Sequence, residues 1–180
     1  EIKELVNILF EKQKISQGQD PDLNSLTLAE LKESIVHLRK GITESEKHAS
    51  IIGGVPHYPH PNGGGLVAET AKVDPTVFVG VNAKVFGNAR VSGNAKVSEN
   101  AKVSGNAWVY GDAWVSGNAW VFGNAQVYEN ARVYGNAQVS GDGRVYENAR
   151  VYGNALVYGD AEVYGDATVS EGSFHDKNMV

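Results

Sequence analysis

The chain has 180 residues, no cysteine and a formal net charge of −5, and Val, Gly, Ala and Asn supply 78 of its residues. Without cysteine it has neither a disulfide scaffold nor a cysteine zinc site, and its mild acidity argues against a surface for nucleic acid or anionic membranes. No apolar run approaches ~18 residues and the first residues do not resemble a signal peptide, so we expect no membrane partner and a cytoplasmic protein, in a host cytosol or a virion.

Residues 1–49 are predicted to form a helical arm or cap. Thr27–Glu30 has the capping-box pattern that begins a helix, and Gly41 is typical of a helix end. The apolar residues between them recur at heptad spacing and predict one apolar stripe: Leu28, Leu31, Ile35 and Leu38. Because short amphipathic helices are not stable alone, the stripe is predicted either to pack in an oligomer interface or to dock another protein.

Residues 50–65 form a connector that is rich in Pro and Gly. Several of its residues form a candidate site for a small anionic ligand, because glycine N–H groups bind anions and imidazole and amide groups stand beside them: His57, Tyr58, His60, Asn62, Gly63, Gly64 and Gly65. The alternatives are a rigid turn into the next segment and a His-x-x-His metal site. The sequence offers no third ligand, so we predict no metal and no cofactor.

From Val67 to Val169 a valine occurs at every sixth position, 18 in all. Ala stands two residues before 15 of them, and Gly-Asn or Gly-Asp usually precedes the Ala. Side chains alternate along a strand, so in the triplet A-x-V we expect Ala and Val to face inward and x to face outward. Gly accepts positive φ and Asn or Asp tolerates it, so the dipeptide is predicted to turn the chain.

Three such hexads close a triangle. Residues 66–170 therefore predict a mainly-β, parallel β-helix of six coils, each made of three hexads, preceded by the short N-terminal α-helical segment. Residues 171–180 leave the register and are predicted to form a C-terminal tail.

The run from Gly87 to Trp120, GNARVSGNAKVSENAKVSGNAWVYGDAWVSGNAW, resembles the hexapeptide-repeat family of left-handed parallel β-helices. The likeness covers about residues 65–170 and implies left-handed winding and a homotrimer. The G-[ND]-A-x-V-[YS] form is similar to repeat proteins of bacterial and phage genomes. Well-known members of the family are acyltransferases with histidine on the coils, whereas this sequence has no histidine between His60 and His175.

Side chains at the same position of successive coils are predicted to stack on one face of the prism. Trp108, Trp114 and Trp120 are six apart, so each takes the outward position on a different face of one coil, and we expect them in an oligomer interface. Tyrosines recur once per coil and predict aromatic columns that either cover the sheet or form a binding face: Tyr110, Tyr128, Tyr146 and Tyr164, with Tyr134 and Tyr152 on a second face.

These features predict a non-enzymatic, oligomeric β-solenoid that acts by binding or as a structural or adaptor element, of phage or prophage origin. One alternative is capture of a small anionic or nucleotide-like ligand, or of a host factor, at the connector. Another is an acyl-CoA-dependent acyltransferase with His57 or His60 as the base at a subunit junction. No catalytic residue is assigned, and the mixed charges of residues 66–170 argue against a nucleic-acid groove.

Overall fold

The computed structural model describes residues 49–175. The chain divides into two compact units, Glu1–Lys47 and His48–Val180. The predicted helical arm, with its stripe of Leu28, Leu31, Ile35 and Leu38, lies outside the described residues, as do residues 176–180. The described part of the chain consists of strands and turns, and no helix in it has the length and hydropathy that crossing a membrane requires.

The strands are short, and most have two residues because each comes from one A-x-V triplet. They are β1 (Ser50–Ile52), β2 (Val55–Pro59), β3 (Leu66–Ala68), β4 (Lys72–Val73), β5 (Phe78–Val79), β6 (Lys84–Val85), β7 (Arg90–Val91), β8 (Lys96–Val97), β9 (Lys102–Val103), β10 (Trp108–Val109), β11 (Trp114–Val115), β12 (Trp120–Val121), β13 (Gln126–Val127), β14 (Arg132–Val133), β15 (Gln138–Val139), β16 (Arg144–Val145), β17 (Arg150–Val151), β18 (Leu156–Val157), β19 (Glu162–Val163), β20 (Thr168–Val169) and β21 (Ser173–Phe174).

These strands form three sheets, which we call faces 1, 2 and 3. Face 1 has the order β1-β2-β3-β6-β9-β12-β15-β18-β21, face 2 runs from β4 to β19 and face 3 from β5 to β20, in each case by every third strand. Repeat strands three apart pair in parallel with an offset of one coil, as Val103 does with Val121. The chain is therefore a parallel β-solenoid of about six coils, as the period of the valines predicts.

The interior of the solenoid is a stack of Val and Ala. Val85, Val103 and Val121 follow one another on face 1 and are fully buried, and so are the alanines that precede them. Burying a valine side chain contributes about 1.5–3 kcal/mol, so a long row of them stabilises a narrow core. The side chains at the inward positions therefore pack in the core and are not available for binding.

The corners are closely stacked turns. Gly117 and Gly135 have φ of 69° and 72°, and a Cβ on Gly117 would lie 2.8 Å from the Gly135 nitrogen. The following Asn side chains bond from coil to coil, with Asn100 donating to Asn118 at 3.1 Å and Asn118 donating to Asn136 at 3.0 Å. The corners at Gly117 and Gly135 thus have a glycine that permits the turn and an amide ladder that links the coils.

The connector forms antiparallel strands that extend face 1. Strands β1 and β2 make a hairpin whose turn residues, Gly53 and Gly54, have φ of 59° and 78°, as in a type I′ turn. Strand β2 also pairs antiparallel with β3. At the other end of face 1, β21 pairs in parallel with β18 at an offset that is one residue short of a full coil, so Phe174 takes the place of the next valine.

Candidate functional site

The outward positions of the three faces carry the most distinctive side chains of the repeat. On each face two cationic residues that pair with each other lie in register beside a tryptophan, and we call these sets the cation–indole columns. They are Lys84–Lys102–Trp120 on face 1, Lys72–Arg90–Trp108 on face 2 and Trp114–Arg132–Arg150 on face 3. The order on face 3 is the reverse of the order on the other two, and a further cation, Lys96, pairs with Trp114 on its other side.

In each column a cation lies over the indole. The Arg90 guanidinium carbon is 5.1 Å from the centre of the Trp108 ring, and the Lys102 Nζ is 5.8 Å from the centre of the Trp120 ring. The corresponding distance from Arg132 to Trp114 is also 5.8 Å. These are cation–π distances, so each indole holds one cation near its face.

The three tryptophans lie on one coil, one on each face, as predicted. Trp108 and Trp114 are 43% and 41% exposed, and Trp120 is half-buried. The indole Nε1 of Trp114 donates to Ser98 Oγ at 3.1 Å, and that of Trp120 donates to Ser104 Oγ at 2.9 Å. These two rings are therefore held in place by contacts within the chain.

The lysines of the columns form no ion pairs within the described residues. Within the described residues, Lys72, Lys84 and Lys102 form no ion pair, whereas Arg144 on face 2 bonds to Glu162 at 3.4 Å. Residues 66–107 contain five Lys or Arg against three Asp or Glu, and residues 108–170 contain three against seven. The first coils of the prism are consequently the more cationic end.

The connector residues predicted to bind a ligand divide between two places. His57 lies on β2, is 5% exposed, and its Nδ1 bonds to the Val55 carbonyl at 2.9 Å. Tyr58 is on the same strand and pairs with Val67. His60 is 7% exposed and begins the loop that leads to β3, where the Asn62 N–H donates to its Nδ1 at 3.3 Å.

The Gly-rich loop lies over the first coil. The Gly64 N–H donates to the His60 carbonyl and the Gly65 N–H donates to the Val79 carbonyl, each at 2.9 Å. A Cβ on Gly63 would lie 2.3 Å from the Val79 oxygen, so the glycines permit this close approach. Two of the three glycine N–H groups predicted to face an anion thus have partners within the chain, a geometry that favours the alternative of a turn. No group of three His, Asp or Glu side chains with metal-site geometry occurs in the described residues.

A groove on face 1 joins part of the connector to a cation–indole column. Its cavity volume is about 530 Å³, and its wall on one side is the hairpin turn at Ile52 and Gly53. Lys84, Lys102 and Trp120 line it, together with His57, Val55 and Phe86 among others. The sequence predicts His57 in the connector site and gives no signal that connects it with the lysines.

Two smaller clefts flank the column on face 2. Their volumes are about 290 and 410 Å³, and both are lined by Lys72, Arg90 and Trp108. The first cleft also contains Asp74 and Tyr110, so its charge is mixed. The groove on face 1 is larger, and no carboxylate lines it.

The predicted tyrosine columns are present. On face 2, Tyr110, Tyr128 and Tyr146 stack with ring centres 4.9 and 5.0 Å apart and planes 1° from parallel. On face 3, Tyr134 and Tyr152 stack at 5.0 Å. Desolvation in the stack, together with a 3.2 Å hydrogen bond from the Tyr146 hydroxyl to Glu162, raises the pKa of Tyr146 to about 12.

The fold and the comparison with protein families define the same class, a β-solenoid repeat protein. A family model described as YdcK Beta solenoid repeat matches residues 101–117, 125–141 and 149–163, and each match spans about three hexads. These segments cover the middle and later coils, and they include neither the connector nor most of the groove. No curated protein and no solved structure matches the chain.

Proposed function

We propose that this β-solenoid acts by binding rather than by catalysis, and that its outward faces are the contact surfaces. The supporting observation is the pairing of like charges in the three cation–indole columns. Like charges directly opposite each other on neighbouring strands reduce stability. Neutral residues fit the same outward position, as Gln126 and Gln138 do, so the repeat does not require these cations. Residues that reduce stability and that the fold does not require are typical of a functional surface.

The other positions of the repeat support this assignment. The inward Val and Ala fill the core, and the corner Gly and Asn form turns and ladders. The outward position is therefore where the sequence varies between Lys, Arg, Trp, Gln, Leu, Glu, Phe and Thr without changing the backbone. A rigid scaffold that presents variable side chains at fixed spacing is well suited to recognition.

The functional unit in this proposal is a homotrimer with tryptophans at the subunit contacts. Exposed large aromatics are enriched in interfaces, and Trp108 and Trp114 each expose about two fifths of their surface. The test is sedimentation velocity of the full chain at micromolar concentration. We expect a trimer, and we expect Trp108→Ala with Trp114→Ala to dissociate it.

The matched control for this test is Tyr158→Ala, which removes an aromatic that is 38% exposed and lies outside the cation–indole columns. It should leave the trimer intact. A wild-type chain that sediments as a monomer would overturn the proposed trimer. A double Trp variant that stays trimeric would show that the subunits contact each other through another surface.

The proposal also includes the handedness of the solenoid, its origin and location, and a protein partner. The likeness of the G-N-A-x-V hexads to the hexapeptide-repeat family supports left-handed winding, a phage or prophage origin and a place in a host cytosol or virion. The stripe of Leu28, Leu31, Ile35 and Leu38 is the proposed attachment for a protein partner. Leu31→Asp with Leu38→Asp in the full chain should abolish that attachment and leave the melting of the solenoid unchanged.

A further inference from the structure

We propose that the groove on face 1 binds a small amphipathic anion, in which an acidic group such as a phosphate is attached to a planar apolar ring. This inference rests on the proposal that the protein acts by binding, and it supplies a ligand class and a place. It also moves the predicted anion site from the glycine loop to the groove that His57 lines.

The acidic group of the ligand has two partners in the groove. Lys84 and Lys102 lie opposite each other on neighbouring parallel strands, which are about 4.8 Å apart. Neither forms an ion pair within the described residues, and none of the groove's lining residues is acidic. An anion bound between the two ammonium groups would relieve their repulsion, so the arrangement has charge complementarity for an anion and not for a cation.

The ring of the ligand has an ordered aromatic platform. The Trp120 indole is fixed by its hydrogen bond to Ser104, which is 4% exposed, and by Phe122, whose ring centre is 4.4 Å away. Phe86 lines the groove beside the lysines. The Lys102 Nζ lies 5.8 Å from the centre of the same indole ring, so an acid bound by the lysines would place an attached apolar ring beside the aromatic side chains.

The hairpin closes one side of the groove. Ile52 is 43% exposed on strand β1 and Val55 is half-buried on β2, so both offer apolar surface beside the lysines. His57 bonds to the Val55 carbonyl through Nδ1, and because a carbonyl only accepts, Nδ1 carries the hydrogen. This bond fixes the imidazole in the wall of the groove.

The size of the groove and the charge of the coils around it agree with a small anionic ligand. A cavity of about 530 Å³ lies within the range of small-ligand sites, roughly 300–1,000 Å³. Most of the groove belongs to the coils that have five cationic against three acidic residues, so an approaching anion would be attracted to it.

The test is isothermal titration calorimetry of the full chain with 1-naphthyl phosphate, compared with 1-naphthol and with inorganic phosphate. We expect naphthyl phosphate to bind at least about tenfold more tightly than either half, because hydrogen bonds to charged groups and ring contact each contribute at this level. Raising the salt concentration should weaken the binding of naphthyl phosphate.

The variants locate the site. Lys84→Gln with Lys102→Gln should weaken naphthyl phosphate binding by about tenfold or more, and Trp120→Ala should also weaken it. The matched control, Lys96→Gln with Arg144→Gln, makes the same change in net charge on faces 3 and 2, outside the paired cations of the columns, and should bind as the wild type does. Circular dichroism melting of each variant confirms that the solenoid is folded.

Three results would overturn the groove assignment. These are no binding of naphthyl phosphate, equal binding of naphthol or of phosphate alone, and equal losses in the groove variant and its control. A trimer that depends on its tryptophans but binds none of the probes would remove the groove and leave the proposed function standing. A chain that is monomeric yet binds the probe would keep the groove and the binding function and would remove the proposed trimer.

Discussion

Three corners of the solenoid have glutamate where the repeat has glycine. Glu99, Glu129 and Glu147 have φ of 56°, 57° and 59°, in the left-handed region. That conformation costs an L-residue roughly 1–2 kcal/mol. Glu129 and Glu147 also occupy the same corner on successive coils, where two negative charges are close. These positions therefore reduce the stability of the fold.

Glu129→Gly should stabilise the protein by up to about 1 kcal/mol. The variant removes the strained φ and one of two like charges, while the greater freedom of glycine in the unfolded chain offsets part of the gain. The free energy of unfolding in urea is the measurement. Glu69→Gly is the control, because Glu69 occupies a corresponding corner without positive φ. Equal effects of both changes would show that φ at Glu129 is not strained.

We expect the protein to lose stability at high pH, because the pKa of the Tyr146 phenol is raised in the folded state. Its pKa is raised from 10.0 to about 12 in the folded state, so below pH 10 the phenol is neutral in both states and the stability is fully present. Between pH 10 and 12 the unfolded chain releases this proton first, and the free energy of unfolding falls. Urea unfolding across this range should show the fall, and Tyr146→Phe should reduce it.

Glu162 provides a check on that explanation. Its carboxylate accepts the Tyr146 hydrogen bond, so Glu162→Gln should bring the pKa of Tyr146 nearer to its ordinary value. The difference between the ultraviolet titrations of the folded protein with and without Tyr146→Phe reports this pKa, because the chain has eight tyrosines. An unchanged tyrosine titration in Glu162→Gln would mean that desolvation, the largest cause, raises the pKa of Tyr146 without a contribution from Glu162.

The amide ladder is the corner element that links the coils. Asn118 bonds to Asn100 and to Asn136, whereas Asn154 accepts a single ladder bond, from Asn136. Asn118→Ala should therefore lower the free energy of unfolding by about twice as much as Asn154→Ala, with each bond worth about 0.5–1.5 kcal/mol. Urea denaturation of the two variants measures the difference, and equal losses would mean that the ladder bonds do not contribute.

The repeated elements follow from the sequence because each hexad contains its own strand and its own turn. Three hexads per coil place Trp108, Trp114 and Trp120 on three faces without any further information. Our sequence-based prediction for residues 50–65 is a connector and not the hairpin β1–β2, although Gly53-Gly54 between apolar residues is a recognised turn signal. The sequence does not predict the groove, because Ile52 and Lys102 are far apart in the sequence and only the hairpin brings them together.

The molecule as a whole is held together by contacts between successive coils. Val115 packs between Val97 and Val133 in the middle of face 3, whereas Val169 lies on the last strand of that face. In such linear arrays stability is close to a sum of units and their interfaces, so the ends open before the middle. This predicts different effects of the same substitution at the two positions.

Val115→Ala should lower the free energy of unfolding by about 2 kcal/mol, from two lost methyl groups and the space they leave. Val169→Ala should lower the free energy of unfolding by less, because the residue is 4% exposed and lies on the last strand of face 3. Hydrogen exchange should show amides near Val169 opening locally in that variant while the middle coils stay protected. Uniform loss of protection in both variants would mean that the solenoid unfolds as one cooperative unit.

The constant one-coil offset between paired strands has a consequence for how such a chain changes over generations. Any block of one coil has equivalent ends, so an in-frame duplication or deletion of one block rejoins every ladder, core row and corner in register. Recombination between near-identical repeats can thus lengthen or shorten the prism without passing through a sequence that cannot fold. Such events would preserve the groove when they fall beyond Trp120, so length and recognition can vary independently in this molecule.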